Sequence, residues 1–182
     1  MSYTININAF NAVQPAASSE QVRYNLNGVH IEDEGDQRIY VATNGHIMMI
    51  VKTAIEGERL PEPITIKTPK QVPAKFCKNV EMTIVDAETV VIKTDKGKTA
   101  LDINDGAFPE WRKVVPSSST PHANFYIAFK PEYMEKMDDF IENAHMQIPR
   151  CEDDRSAARW QYTDNEQTRI GILMPCTTKE GE

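Results

Sequence analysis

The stretch Ile64-Thr65-Ile66-Lys67-Thr68-Pro69 gives the clearest indication of the fold, because its pattern of a strand followed by a helix start occurs three times in the chain. It is typical of a short strand followed by a proline in the first turn of a helix, where the missing N–H costs nothing. The same order opens the chain at Tyr3-Thr4-Ile5-Asn6-Ile7, where Asn8 can cap a helix, and returns at Phe125-Tyr126-Ile127-Ala128-Phe129-Lys130-Pro131. A spacing of about sixty residues predicts a repeated structural unit.

Each unit continues with segments that alternate apolar and polar residues, as antiparallel strands do. We predict strands at 22–32 and 38–52 around the turn 33–36, at 80–85, 89–94 and 99–103 with the glycine turn 95–98, and at 157–163 and 168–174 around Asp164-Asn165. Each unit is therefore a strand, a helix and then antiparallel strands. The sequence predicts an α+β fold made of three such units.

The helix of the third unit has the clearest pattern. Met134, Met137, Ile141 and Ala144 recur at helical spacing, with Phe140 on the same face, which indicates a stripe that packs on the core. The pattern of the first helix is weaker, since Phe10 and Val13 are followed by Pro15. The second, between Pro69 and Lys78, contains Pro73 and is expected to be only a turn or two.

The segment Pro116-Ser117-Ser118-Ser119-Thr120-Pro121 has the composition of a linker. We therefore predict one domain over residues 1–116, made of the units 1–60 and 61–116. A linker at 117–121 and a half-domain at 122–182 follow.

Composition limits the class of protein. The chain has 182 residues, of which 40% are hydrophobic and 26% charged, as in ordinary globular proteins. The longest apolar run, Ile47-Met48-Met49-Ile50-Val51, is too short to span a bilayer, and the first residues lack an export signal. Three cysteines without close spacing indicate free thiols, so we expect a cytoplasmic protein. The net charge of −7 leans away from DNA binding unless a local basic strip exists.

The sequence has no pattern that indicates catalysis, a cofactor or a metal. No phosphate-binding glycine loop occurs, and acidic groups such as Asp138-Asp139 and Cys151-Glu152-Asp153-Asp154 are best interpreted as solvated charge. The four histidines stand apart from other metal ligands: His30, His46, His122 and His145. We therefore expect a non-catalytic binding or scaffold protein.

Three segments together resemble the β subunit of bacterial DNA polymerase III, the sliding clamp. Val22-Arg23-Tyr24-Asn25-Leu26-Asn27-Gly28-Val29 is similar to a strand of that family's middle domain. Val41-Ala42-Thr43-Asn44-Gly45-His46 is similar to its Val-Ala-Thr-Asp-Gly-His-Arg loop, with Asn44 in place of Asp and Ile47 in place of Arg. Asp105-Gly106-Ala107-Phe108-Pro109-Glu110-Trp111-Arg112-Lys113-Val114-Val115-Pro116 is similar to its Asp-Gly-x-Phe-Pro-Asp-Tyr-Arg-Arg-Val-x-Pro segment. The order and spacing also match, which makes the joint resemblance specific.

The resemblance extends over residues 1–116 as a complete clamp domain and over 122–176 as the second half of the family's last domain. It implies an apolar pocket that receives short linear motifs of DNA polymerase, the clamp loader and repair proteins. The residues implied in this pocket are Thr43, Gly45, His46, Met48, Pro109, Lys113, Val114, Ile172, Met174 and Pro175. Cys176 stands in place of the family's last Met, and Ile47 stands in place of Arg, so the partners can differ.

The resemblance also implies a ring around duplex DNA, with basic side chains of helices directed to the hole. The candidates are Arg23, Lys70, Lys75 and Lys78. Family rings contain about twelve such units, so three units per chain suggest a homo-oligomeric ring of four chains. The reduced length suggests a phage or prophage origin.

Alternative interpretations stay open at each position. Asn44-Gly45 is also a simple turn, Phe108, Pro109 and Trp111 also form an apolar plug, and the lysines are also ordinary surface residues. At the level of function, the alternative is a clamp-like interaction protein that binds partner peptides or clamp subunits without encircling DNA. An enzyme on a clamp-like scaffold would require a catalytic cluster that the sequence does not contain.

Overall fold

The computed structural model describes residues 1–68, 70–116, 128–141 and 156–176. Its strands are β1 (Ser2–Asn6), β2 (Val29–Glu34), β3 (Gln37–Thr43), β4 (Ile47–Ala54), β5 (Ile64–Ile66), β6 (Asn79–Ile84), β7 (Thr89–Thr94), β8 (Gly97–Asp102), β9 (Ala158–Thr163) and β10 (Gln167–Leu173). The helices are α1 (Ile7–Val13) and α2 (Pro131–Phe140), and short 3-10 helices cover Gln14–Ala16, Gln21–Leu26 and Trp111–Val114. The predicted α+β class, rich in antiparallel strands, is confirmed.

Helix α1 begins directly after β1 because Asn6 caps it. The Asn6 side chain accepts a hydrogen bond from the backbone N–H of Ala9 at 3.0 Å, which satisfies one of the free donors of the first turn. We predicted Asn8 as the cap, but the cap is Asn6, two residues earlier in the chain. Helix α1 buries Ile7, Phe10 and Val13 completely.

The strands form two antiparallel sheets. The first has the order β1-β6-β7-β8 and the second has the order β5-β2-β3-β4-β10-β9. Strand β10 pairs with β4, with Ile170 opposite Ile50 and Leu173 opposite Ile47. The strands of the predicted third unit therefore extend the sheet of the first unit, and a bridge between Ile66 and Ile103 links the two sheets.

The central part of the six-stranded sheet is buried on both faces, because alternate side chains of β3, β4 and β10 pack into two separate apolar clusters. Tyr40, Met49 and Val51 belong to the large core that also contains the two helices. On the other face, a smaller cluster contains Ile39, Val41, Met48, Ile50, Trp111, Ala157, Ile170 and Ile172. This double burial explains the nearly continuous apolar sequence of β4, and it brings Trp111 onto the sheet.

Helix α2 lies directly on β10. Gly171 allows this close approach, since a Cβ atom at that position would lie 2.1 Å from Sδ of Met137. Met137, Phe140 and Ile141 are buried, which confirms the predicted core-facing stripe for the part of it that the structure describes. The position of Ala144 in that stripe lies outside the described residues.

The helix predicted between Pro69 and Lys78 is wrong, since residues 70–78 are not helical. The Asn11 side chain donates to the Val72 carbonyl and accepts from its N–H, both at 2.8 Å, and Val72 is buried. These bonds hold the segment against α1. Pro73 disfavours the α conformation in Val72 and lacks the N–H that a helix would need.

Two strand predictions need correction as well. Residues 22–26 of the strand predicted at 22–32 belong to a 3-10 helix, and the strand predicted at 38–52 divides into β3 and β4 at Asn44. The strands predicted at 80–85, 89–94, 99–103, 157–163 and 168–174 are confirmed with small changes at their ends.

The remaining predictions, on domain organisation, concern residues of which the structure describes only a part. The linker 117–121 and most of the strand predicted at 125–129 lie outside them, and the domain boundaries stay predictions. Unit one shows the expected order of strand, helix and strands. Within the described part of the chain, neither helix has the length and apolar character needed to cross a membrane.

Candidate functional site

A rigid turn joins β3 and β4. The Asn44 side-chain oxygen accepts hydrogen bonds from the backbone N–H groups of His46 and Ile47, at 2.9 and 3.1 Å. The Thr43 hydroxyl donates to the Ile47 carbonyl at 2.8 Å, and Gly45 adopts a φ of +89°, which favours glycine. Side chain and backbone together fix this turn, which presents Thr43, Gly45 and His46 at the end of the sheet.

The segment Pro109–Trp111, which we call the ridge, passes in front of this turn. Trp111 is only 6% exposed and packs on the sheet. Its indole N–H donates to the Glu32 carboxylate at 3.2 Å, while the Arg112 guanidinium lies over its ring at 4.3 Å from the centroid. The indole is therefore held in one orientation by a hydrogen bond on its edge and a cation on its face.

Glu32 is the electrostatic centre of this arrangement. Burial of its carboxylate raises its pKa, but the hydrogen bonds with His30 and Arg112 and the positive charge of Arg112 outweigh burial and lower the pKa to about 2. Arg112 lies 2.7 Å from the carboxylate, and His30 lies 3.5 Å from it. The His30 ring also stacks on Phe108 with centroids 4.4 Å apart. The ionised Glu32 carboxylate thus contacts Trp111 directly and Phe108 through the His30 ring.

The end of β10 supplies the third side of the site. The backbone N–H of Met174 donates to the His46 carbonyl at 2.9 Å, so the chain after β10 runs beside the Asn44 turn. Ile172 is buried, whereas the Met174 side chain is 41% exposed. A polarisable and adaptable side chain therefore lies at the opening of the site.

These three segments enclose one apolar pocket of about 260 Å³. Of the ten residues predicted for it, eight line the cavity: Thr43, Gly45, His46, Met48, Pro109, Val114, Ile172 and Met174. Pro175 and Lys113 do not line it, and the exposed Lys113 side chain instead pairs with Glu110. Gly45, Pro109 and Met174, which the proposed site requires to be close together, all contribute to the same cavity.

Four further lining residues were not predicted: Leu26, Ile47, Glu110 and Trp111. Trp111 carried a signal in the sequence, because the apolar-plug interpretation of the 108–111 segment already places it inside. Leu26 carried none, since its segment has the alternation of a strand. The lining is mainly apolar, and no group of three potential metal ligands occurs in the part of the chain that the structure describes. Such a pocket suits binding of apolar side chains.

An aromatic platform lies next to the pocket. The His46 ring stacks on Tyr133 of α2, with centroids 5.9 Å apart and planes 17° from parallel. The Lys130 ammonium group lies 5.7 Å from the centre of the same tyrosine ring. Helix α2 therefore contributes to the surface around the opening, beside residues of β4 and β10.

The predicted DNA-facing residues do not form one group. Arg23 lies beside the pocket, where its guanidinium donates to the Asn44 carbonyl at 2.7 Å. Lys70, Lys75 and Lys78 belong to the non-helical segment, and Lys78 pairs with Glu166 at 2.9 Å. The expectation that helices carry these side chains is therefore wrong for all three lysines, because their segment is not helical. Arg23 lies in a short 3-10 helix.

The fold is that of bacterial sliding clamps. A sliding clamp (DNA polymerase III subunit beta) of Bartonella birtlesii, solved with bound griselimycin, superposes with a TM-score of 0.74 at 14% identity, covering 97% of this chain and 66% of that chain. The Helicobacter pylori beta clamp, solved with diflunisal, gives 0.72 at 14% identity, covering 97% and 66%. At such identities these likenesses define the class of fold.

Sequence comparison then assigns the family. The family model of the DNA polymerase III beta subunit, central domain, matches residues 4–110. The beta sliding clamp of Escherichia coli K12 is 29% identical over 122 residues, which cover 61% of this chain and 31% of that protein. The chain therefore belongs to the DNA polymerase III beta subunit family, as the resemblance in the sequence predicted. The matched part of this chain corresponds to about a third of the length of the Escherichia coli clamp.

Proposed function

We propose that this protein is a non-catalytic, cytoplasmic sliding clamp that tethers a DNA polymerase and other replication or repair proteins to duplex DNA. The observation that carries the proposal is the apolar pocket, to which the Asn44 turn, the ridge and the end of β10 each contribute. A partner would insert the apolar side chains of a short linear motif into it. Solved clamps from Borrelia burgdorferi and Bartonella birtlesii hold a natural product and griselimycin, which supports a binding role for this fold.

The size of the pocket is consistent with a motif of moderate affinity. Burying roughly 300 Å² of apolar surface contributes on the order of 7 kcal/mol before the cost of ordering the peptide. Loss of translational and side-chain freedom offsets part of this gain, which leaves affinities of about micromolar. Such binding suits a platform on which partners exchange.

Replacing Met174 with alanine is expected to weaken peptide binding by about tenfold, because the thioether side chain covers the opening of the pocket. The probe is a fluorescently labelled peptide with adjacent leucine and phenylalanine, and fluorescence anisotropy gives its Kd. Phe76→Ala is the matched control, since Phe76 is a large exposed apolar residue that does not line the pocket. Equal affinity of the wild type and Met174→Ala would remove the pocket from the proposal.

A ring of four chains is the assembly that we propose for encircling DNA. Topology holds such a ring on the duplex, so a protein with a net charge of −7 needs only weak contacts with phosphates. Strand β9 is the last strand of the six-stranded sheet among the described residues, and a strand in that place can pair with a neighbouring subunit. Arg23, Lys70, Lys75 and Lys78 remain the proposed DNA-facing side chains.

Loaded protein is expected to stay on nicked circular DNA and to leave when the DNA is cut to a linear form. Native mass spectrometry should give four times the chain mass of 20.6 kDa. A monomer at micromolar concentration would contradict the ring, and so would retention that does not depend on circular DNA.

The second candidate is a clamp-like interaction protein that binds partner peptides or clamp subunits without surrounding DNA. The pairing of Lys78 with Glu166 and the position of Arg23 beside the pocket favour it, because both cations already have partners. If the wild-type protein binds the peptide but is not retained on circular DNA, this second candidate is supported.

A further inference from the structure

A second and larger cavity, which we call the acidic groove, lies on the other side of the ridge. It has a volume of about 670 Å³, and Pro109, Glu110 and Trp111 line both it and the apolar pocket. Its other walls come from residues 61–65 before and in β5, from the turn at 84–87 and from residues 103–108. The two cavities are therefore neighbours that share one wall.

The walls of the acidic groove are partly apolar, and several carboxylates stand exposed around it. Ile64, Ile84, Ile103 and Phe108 supply the apolar surface. Exposed carboxylates stand around it: Glu62, Asp86 and Asp105. Within the described ranges these three carboxylates have no ion pair. A partly apolar groove with unpaired carboxylates around it favours a ligand that has both an apolar stem and a positive charge.

The other charges of the groove are already neutralised. Glu32 pairs with Arg112, which also contacts Glu34 at 3.1 Å, and Glu110 pairs with Lys113. Arg112 is the one lysine or arginine among the lining residues that the structure describes, and these two contacts engage it. The negative charge of the rim is therefore available to a ligand.

The arrangement selects among cationic and anionic ligands. Phosphates and nucleic acid are excluded by like charge. A compact metal ion is disfavoured, because no three potential ligands converge anywhere in the described part of the chain. An arginine or lysine side chain fits, since its aliphatic stem packs on apolar walls and its charged head reaches a carboxylate at the rim.

We propose that the acidic groove receives an arginine or lysine that flanks the apolar motif of a partner peptide bound in the apolar pocket. This inference rests on the proposed function. Because Pro109, Glu110 and Trp111 line both cavities, a single chain segment separates them, and a peptide of about five to seven residues, which spans roughly 16–23 Å when extended, reaches both. The groove then adds selection for basic flanking residues to a pocket that recognises only apolar side chains.

The expected gain is moderate and depends on salt. Exposed ion pairs are individually weak, so two basic residues that meet three carboxylates tighten binding by about five- to tenfold at low ionic strength. Most of this gain disappears in high salt, because the rim is exposed to solvent. The gain from the apolar motif does not depend on salt in this way.

The test compares two peptides with the same Leu-Phe motif, one flanked by two arginines and the other by two glutamines. The full chain is used as wild type and as a groove variant with Glu62→Gln, Asp86→Asn and Asp105→Asn. The matched control carries Glu58→Gln, Glu81→Gln and Glu135→Gln, which remove the same charge from exposed positions outside the groove.

The arginine peptide should bind the wild type five- to tenfold more tightly than the glutamine peptide, and the groove variant should lose this preference. The control variant should keep most of it. Equal binding of both peptides to the wild type would overturn the inference, and so would equal loss in the two variants, which would indicate diffuse attraction only. If the glutamine peptide does not bind and Met174→Ala changes nothing, the proposed function itself fails and the groove proposal fails with it.

Discussion

Replacing Arg38 with methionine is expected to lower the free energy of unfolding by about 3–5 kcal/mol. Arg38 is 1% exposed, and its guanidinium forms two hydrogen bonds with the Asp33 carboxylate at 2.7 and 2.9 Å. It also donates to the carbonyls of Thr4 and Glu58. Methionine fills a similar volume but leaves a buried carboxylate without its cation. Urea denaturation followed by circular dichroism measures the loss.

The matched control is Arg59→Met. Arg59 pairs with Asp36 at 3.0 Å, but both side chains are largely exposed, so its replacement should cost less than about 1 kcal/mol. A double variant with Asp33→Leu and Arg38→Met should recover part of the stability, because no charge is then left buried. Similar losses for Arg38→Met and Arg59→Met would contradict the view that burial decides the energy of these pairs.

This ion pair shows what sequence patterns leave out. Asp33 and Arg38 face each other across the β2–β3 hairpin, and the sequence predicts a hairpin there from its glycine turn. Alternation alone gives a charged pair beside a turn, which is normally on the surface. The burial comes from distant residues, since Thr4 and the Glu58–Leu60 segment cover the pair.

The candidate site shows the same division between local and distant causes. The Asn44 turn, Pro109 and Met174 were predictable, because their local sequences resemble a known family closely. The position of Leu26 was not predictable, because a residue distant in the sequence, Asn104, determines the backbone conformation around it. The Asn104 side chain donates to the carbonyls of Tyr24 and Asn27 at 2.6 and 3.1 Å, which holds residues 24–27 in a turn instead of a strand. Patterns of neighbouring residues carry no information on such a bond.

Acidification is expected to destabilise the protein through Glu32. The pKa of this carboxyl is 4.5 in an unfolded chain and about 2 in the fold. Because folding lowers the pKa, ionised Glu32 stabilises the fold fully above about pH 4.5, and this contribution is lost as the pH falls from about 4.5 to 2. Its size is on the order of 3 kcal/mol. Urea denaturation of the wild type and of Glu32→Gln between pH 7 and pH 3 measures it.

The difference in unfolding free energy between these two proteins should be largest near pH 7 and should fall to about half or less at pH 3. Glutamine still accepts the Trp111 N–H, so the difference reports the charge of Glu32 and its pairing with Arg112. Glu34→Gln is the control, since Glu34 contacts the same guanidinium at 3.1 Å but is 57% exposed, and its effect should stay small at every pH. A difference for Glu32→Gln that is flat from pH 7 to pH 3 would mean that another group fixes Arg112. The orientation of Trp111, and with it one wall of the apolar pocket, would then not depend on an ionised carboxylate.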